Sequence, residues 1–453
     1  MQLNHTKELK RPAICFVANY HKTAFFSAIA KQLEKSGIDI FWITVSRRLR
    51  KALSETNPAS RILLLNKETP TSLEIAKEIR INELIYGDRA LRHDRNAEKY
   101  LKSIQQPFLE FISKNSIKLV FGELTWAHEI AFHRLLLEPS SESTYLNPHT
   151  IRIPSNRFAF FQDESQSVFY NSSATSDDDS ESHTIEIRKP DYLSINNNLI
   201  TTSQSLRSRL NRIKRFFTEE NIDITDPTII SRKLIRLRNG ILEEINKEAY
   251  HLVKREPVNS KLLTSKYLFA PLHKQPEASI DVIGRYYEDQ YLNILNIWRN
   301  LPSDWLILVK EHTNAIGDRP YSFYRKLQQL RNVILVDENF DSHTLIKNSQ
   351  FVATVSGTAA YEAALLGKPS ITFGKCFFNN FTHCKKLDLT SLTELDFEEF
   401  SKTPIDNQQS VIKKIIENSF PGNIGDPITN PSVMDARNIA DVTSGFLKII
   451  TCP

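Results

Sequence analysis

Three short stretches, far apart in the chain, combine residue types suited to handling a phosphate. The first is Pro271-Leu-His-Lys-Gln-Pro-Glu-Ala-Ser279, which holds His273, Lys274, Gln275 and Glu277. The second is Lys310-Glu-His312, and the third is Ser356-Gly-Thr358 followed by Glu362. Hydroxyls at the start of a helix, with its free N–H groups and positive dipole end, make an anion site. Gly357 permits close backbone approach. On this reading Ser356 and Thr358 grip a phosphate and Lys310 neutralises its charge. His312 protonates or hydrogen-bonds a leaving phosphate oxygen. Glu362 accepts hydrogen bonds from a ribose, which leaves Glu277 or Glu123 to act as base or nucleophile. Taken singly, each residue has a plainer reading: a turn carboxylate, a core histidine, a serine-capped helix.

Each stretch follows an apolar, β-branched run that reads as a strand: Lys266–Ala270, Trp305–Val309 and Phe351–Val355. Helical segments alternate with these runs, including Tyr286–Asn300, Tyr321–Leu330, Ser342–Asn348 and Ala359–Leu366. That alternation predicts a parallel sheet whose carboxyl ends share one edge. The opening segment repeats the theme. Ala13–Val17, a helix over Phe25–Lys35 and Ile38–Val45 form a βαβ unit, with the polar loop Ala18–Thr23 at the ligand-binding end. Ile117–Phe121 then delivers Glu123. That residue points either into a cleft or back at the dipole of the helix expected over Leu124–Leu137.

A chain of 453 residues predicts two domains. We expect 1–255 as an N-terminal Rossmann-like unit, carrying an acidic loop (171–182) and basic helices (205–255). Residues 256–430 form a C-terminal Rossmann-like unit, and 431–453 a helix packing back on the first. An acidic, linker-like region follows Asn379. A net charge of +5 is too small to indicate nucleic acid. The arginines and lysines of the Arg207–Arg238 region read either as a solvated face or as a contact with an anionic membrane surface. The four cysteines, Cys15, Cys376, Cys384 and Cys452, lack CxxC spacing and read as reduced thiols. No metal site is expected: His383 lies between two of those cysteines without ligand spacing, and His128-Glu129 belongs to no HExxH. No Walker A motif, GxGxxG fingerprint or clear DxD pair stands out, which disfavours kinase, dehydrogenase and metal-dependent A-type transferase chemistry. With no leader or spanning segment in view, the reading is a cytoplasmic, membrane-peripheral protein.

Together, Pro271–Ser279, Val309-Lys-Glu-His312 and Thr354-Val-Ser-Gly-Thr358 with Glu362-Ala-Ala-Leu-Leu-Gly-Lys-Pro369 resemble the bacterial capsule polysaccharide biosynthesis family, which includes the β-Kdo transferases. The resemblance implies a GT-B architecture, two Rossmann-like domains facing a central cleft, with the acceptor bound by 1–255 and the nucleotide sugar by 256–430. It implies a metal-independent glycosyltransferase with a nucleotide-sugar donor, CMP-Kdo first among them, and no other cofactor. The acceptor is a lipid-linked or oligosaccharide glycan of capsule or lipopolysaccharide. Carried over by motif, Glu277, His312 and Glu123 are catalytic, the last as acceptor base, with retention through a carboxylate. Ser356 and Thr358 bind the donor phosphate, beside Lys274, Gln275, Lys310, Gly357 and Glu362. Glu277 stands where the family commonly has Asp, and Thr313 where Pro usually follows the histidine. Two other readings remain: a nucleotide-sugar epimerase or hydrolase of the same shape, and a non-catalytic export or assembly factor.

Overall fold

The computed structural model describes residues 11–70, 77–170 and 222–451. The acidic loop 171–182 and the arginines from Arg207 to Arg215 lie outside the described residues. The first sheet takes strands β1 (Ala13–Val17), β2 (Asp39–Thr44), β3 (Ile62–Leu64), β4 (Leu119–Phe121), β5 (Thr144–Ile151) and β6 (Arg157–Phe161). The second takes β7 (Tyr267–Pro271), β8 (Leu306–Lys310), β9 (Val333–Val336), β10 (Phe351–Thr354), β11 (Ser370–Thr372) and β12 (Cys384–Lys386). Finally β13 (Phe420–Pro421) returns to the first sheet beside β6. The orders are β13-β6-β5-β4-β1-β2-β3 and β12-β11-β10-β7-β8-β9. The second sheet is parallel throughout, and the first is parallel from β5 to β3. These are two parallel-rich, Rossmann-like sheets, the α/β architecture that the alternation of strands and helices implied.

Period-two alternation explains why the second sheet is buried on both faces. Leu268 and Ala270 pack into one apolar cluster with Trp305, Ile307 and Phe351, while Tyr267 and Phe269 join Leu308, Val352 and Ala363 in another. A third cluster joins the two halves. Ile151, Ile153, Phe161 and Phe169 meet Ala360, Tyr361, Phe378 and Phe381. The small residues of helix Thr358–Leu365 let that helix lie close to both sheets.

Two expectations need correction. Tyr250 and Val253, assigned above to the first unit, pack in the core of the second sheet, because helix Lys233–Tyr250 lies against that half. The region after Asn379 is no linker. Helices Leu389–Thr393, Phe397–Phe400 and Gln408–Glu417 fold there. Phe397 and Phe400 set their rings 5.2 and 5.4 Å from Phe351, so two aromatics outweigh the acidic composition. Among the described residues no helix is long and apolar enough to cross a membrane.

The closing helix, Ala436–Thr451, buries Ile439, Val442, Phe446 and Ile449 at helical spacing against the first sheet. The Phe446 ring lies within 4.8 to 6.4 Å of Phe16, Phe26, Phe121, Phe158 and Phe160. Gly445 makes that approach possible, since a Cβ there would stand 2.7 Å from the Phe158 ring. Phe446→Ala should therefore cost about 3–5 kcal/mol of stability, measured by denaturant unfolding; a loss below about 1 kcal/mol would show the helix to be peripheral.

Candidate active site

The carboxyl ends of β7, β8 and β10 are neighbours, with Pro271 opposite Lys310 and Phe269 opposite Val352. A buried charge pair holds their geometry. Glu311 accepts from Arg319 Nη1 at 2.7 Å and from the Tyr324 hydroxyl at 2.6 Å. Arg319 also donates to the His273 carbonyl, tying the β7 loop to the β8 loop. The His273 ring ties β7 to β10: its Nε2 accepts from the Val355 N–H at 3.2 Å and lies 2.6 Å from Thr354 Oγ1. Burial, then the nearby Arg319 and His312, pushes His273 down to about 3. It is a neutral structural pin.

His312 faces the cleft. Its Nδ1 accepts the Asn314 N–H at 3.1 Å, so the neutral ring carries its proton on Nε2, toward the open space. Partial desolvation on the cleft floor comes first, with Lys274, Arg152, Lys310 and Arg319 adding to it. Together they push His312 down to about 4. In the free protein His312 is therefore a neutral donor and not an imidazolium acid. A bound dianion would counter those cations and raise its proton affinity.

The turn Ser356-Gly357-Thr358 forms the adjoining wall. The Ser356 hydroxyl donates to the Ser279 carbonyl, linking this turn to the loop that carries Glu277. No side chain caps the helix that starts at Thr358. A Cβ on Gly357 would meet His273 Cε1 and Thr354 Oγ1 at 2.8 Å, so only glycine lets the turn sit on that ring. From the first half Arg152, just beyond β5, reaches Thr358 Oγ1 at 3.4 Å. Tyr361, in the same helix as Thr358, donates to the Ile153 carbonyl. The two halves meet at this turn.

The opposite wall comes from the first sheet. Glu123 accepts from Asn19 Nδ2 at 2.6 Å and pairs with Lys22, both from the loop and helix start after β1. Glu129 caps its own helix by accepting from the Thr125 and Trp126 N–H groups at 2.9 and 3.0 Å. Burial and then Glu123 push it up to about 8. That cap moves the helix start from the expected Leu124 to Ala127 and frees Glu123 to face the cleft. Arg89 stacks 4.0 Å over the Trp126 ring. Trp126 Nε1 and Asn147 Oδ1 are buried here without a hydrogen-bond partner among the described residues.

The cleft between these walls encloses about 520 Å³. Of the residues singled out in the sequence, Glu123, Lys274, Glu277, His312, Ser356, Gly357 and Thr358 line it. Lys310, Glu362 and Gln275 do not. Lys310 Nζ donates to Ser342 Oγ at 2.7 Å, and Glu362 lies 3.1 Å from His343, both partners being in helix Ser342–Asn348. Gln275 is held by Asp318 and Gln290. Among the described residues no cluster of three or more His, Cys, Asp or Glu is placed to hold a metal ion. Sequence reasoning missed Asn19, Lys22, Arg152 and Arg319. The first two sat in the flagged loop after β1, whereas Arg152 and Arg319 belong to no motif.

The site has a consequence for pH dependence. His128 and His273 are pushed to about 3, and His149 and His312 to about 4, with burial first in every case. All four titrate near 6.5 once unfolded. Between those limits the unfolded chain binds more protons, so stability must fall as pH drops from about 6.5 toward 4. Denaturant melts across that range check this; a flat profile would contradict the burial of these rings.

Residues 265–388 match the family described as capsule polysaccharide biosynthesis protein. No curated protein sequence matches the chain significantly. Among solved structures, KpsC of Thermosulfurimonas dismutans, a beta Kdo 2,7 transferase, is similar at 14% identity and a TM-score of 0.32, covering 69% of this chain and 88% of its own. UDP-GlcNAc 2-epimerase from Methanocaldococcus jannaschii shows 14% identity and a TM-score of 0.26, covering 90% and 98%. The Neisseria meningitidis UDP-GlcNAc 2-epimerase bound to UDP-GlcNAc shows 13% and 0.24, covering 90% and 99%. The segment that matches the family contains all three motifs with which the sequence reading began.

Proposed function

We propose that this protein is a glycosyltransferase that moves a sugar, with Kdo from CMP-Kdo as the leading candidate, onto a growing capsule or lipopolysaccharide glycan. One observation carries the reading. The family-matched segment presents an uncapped helix start, a His312 N–H and the Glu277 carboxylate to the same cleft that Glu123 enters from the other half.

The donor phosphate sits at the helix start over Gly357, where backbone N–H groups and the Thr358 hydroxyl receive it. Arg152 and Lys274 neutralise its charge, and His312 Nε2–H donates to the oxygen that leaves with the nucleotide. Glu277, beside Ser279 Oγ at 3.2 Å, attacks the anomeric carbon. The bond to the phosphate oxygen breaks, CMP departs, and a glycosyl ester of Glu277 forms. An acceptor hydroxyl then displaces Glu277 while Glu123 takes its proton, giving overall retention. Lys22 and Asn19 hold the Glu123 carboxylate at the cleft wall for that step. Glu277 has one more methylene than the aspartate common in the family, so its approach requires the loop geometry that Ser356 fixes through Ser279.

In a ligand panel, CMP should raise the melting temperature more than UDP or GDP at equal concentration. A larger shift with UDP would remove the Kdo assignment and favour epimerase or UDP-sugar chemistry. Glu277→Gln should abolish transfer, by at least about a hundredfold, while keeping the CMP shift. Retained turnover in that variant would exclude Glu277 as the nucleophile.

A further inference from the structure

The exposed Glu277 carboxylate has one hydrogen bond among the described residues, from the Ser279 hydroxyl at 3.2 Å. Its position is therefore set by the backbone of the turn it opens. The Glu277 carbonyl accepts from the Ile280 and Asp281 N–H groups at 3.0 and 2.8 Å, and Ser279–Ile283 form a single π turn. That turn reaches into both halves. Ile280 is buried in the core of the second sheet, whereas Val282 is buried in a core of the first. Gly87, which ends helix Ile81–Gly87 of the first half, lies against the same turn. A Cβ on it would stand 2.7 Å from the Asp281 carbonyl oxygen. Arg285 completes the attachment: its guanidinium pairs with Glu83 and lies 3.4 Å from Glu164, both in the first half. Arg134 pairs with the same two carboxylates at 3.0 and 2.5 Å. Two cations and two carboxylates thus balance in a nearly buried square, to which the second half contributes Arg285. Burial disfavours charge on Glu83, but Arg134 and Arg285 outweigh it and hold the carboxyl below its ordinary value.

We infer that Arg285 is a positioning residue for Glu277, tethering the turn that carries it to the first half through Glu83 and Glu164. The inference rests on Glu277 being the nucleophile proposed above. It makes the alignment of that carboxylate depend on the half that brings Glu123 to the cleft. Opening of the two halves must either pull Val282 and Arg285 out of the first or drag Glu277 away from Gly357. Attack on the donor is thereby confined to the closed cleft, from which water is excluded.

Hydrogen exchange and CMP release in the full chain test the inference. Arg285→Met alone leaves two buried carboxylates facing one guanidinium and risks misfolding. The double variant E83Q/R285M keeps Arg134 and Glu164 balanced and removes only the tether. Its melting temperature should stay within about 3 °C of the wild type's. The Ile280, Asp281 and Gly284 amides, bonded inside the turn, should exchange at least about tenfold faster. Mixed with CMP-Kdo and no acceptor, the wild type should release a burst of about one CMP per chain. In the double variant that burst should slow by at least about thirtyfold at unchanged CMP affinity. Arg285→Lys, which keeps the charge, should recover part of both. Wild-type exchange of the turn in E83Q/R285M would overturn the inference, as would a wild-type burst rate. A wild type that releases no CMP would remove the donor reading instead, and the exchange result would still decide the tether.

Discussion

The candidate site depends on the parallel, in-register pairing of β8, β7 and β10. Because the three strands share one polarity, every loop that leaves their carboxyl ends emerges on the same edge. Antiparallel pairing of any one would send His312 or Ser356 to the far side. The pairing is secured from both faces by alternating apolar side chains, so a slip of one residue would turn buried Tyr267 and Leu308 to the opposite layer.

Above that edge the loops are fixed by polar contacts that do no chemistry in the proposed mechanism. Arg319 joins Glu311 to the His273 carbonyl, His273 joins β7 to β10, and Ser356 joins its turn to Ser279. These pins are buried or half-buried, where a lost partner leaves a costly unsatisfied group. They leave His312, Glu277 and the helix start as the groups presented to the cleft. The second wall, with Glu123 between Asn19 and Lys22, arrives by packing of the two halves through Ile151, Ile153, Tyr361 and Phe378.

The alternation of strands and helices was legible in the sequence because each buried strand is a short apolar run and each helix has its own period. Strand order was partly legible: motifs separated by about forty residues had to share an edge if the sheet was parallel. What stayed hidden depends on contacts between distant segments. Nothing near Ile151-Arg152-Ile153 announces that Arg152 reaches Thr358, and the two-residue strand at Phe420 has no local signature. Lys310 and Glu362 carry motif chemistry, yet both turn to helix Ser342–Asn348, a choice set by packing that spacing alone does not encode. The inward-facing Lys247 and outward-facing Leu234 of helix Lys233–Tyr250 were equally hidden, because composition marks that helix only as basic.

The central claim is that a phosphate bridges the two halves at Gly357, with Arg152 closing over it. Calorimetric titration of CMP and cytidine against the wild type and Arg152→Ala tests it most directly. The wild type should prefer the nucleotide by at least about tenfold, roughly 1.4 kcal/mol, and the variant should lose most of that preference. Equal affinity of the wild type for nucleotide and nucleoside, or a preference untouched by Arg152→Ala, would contradict the account.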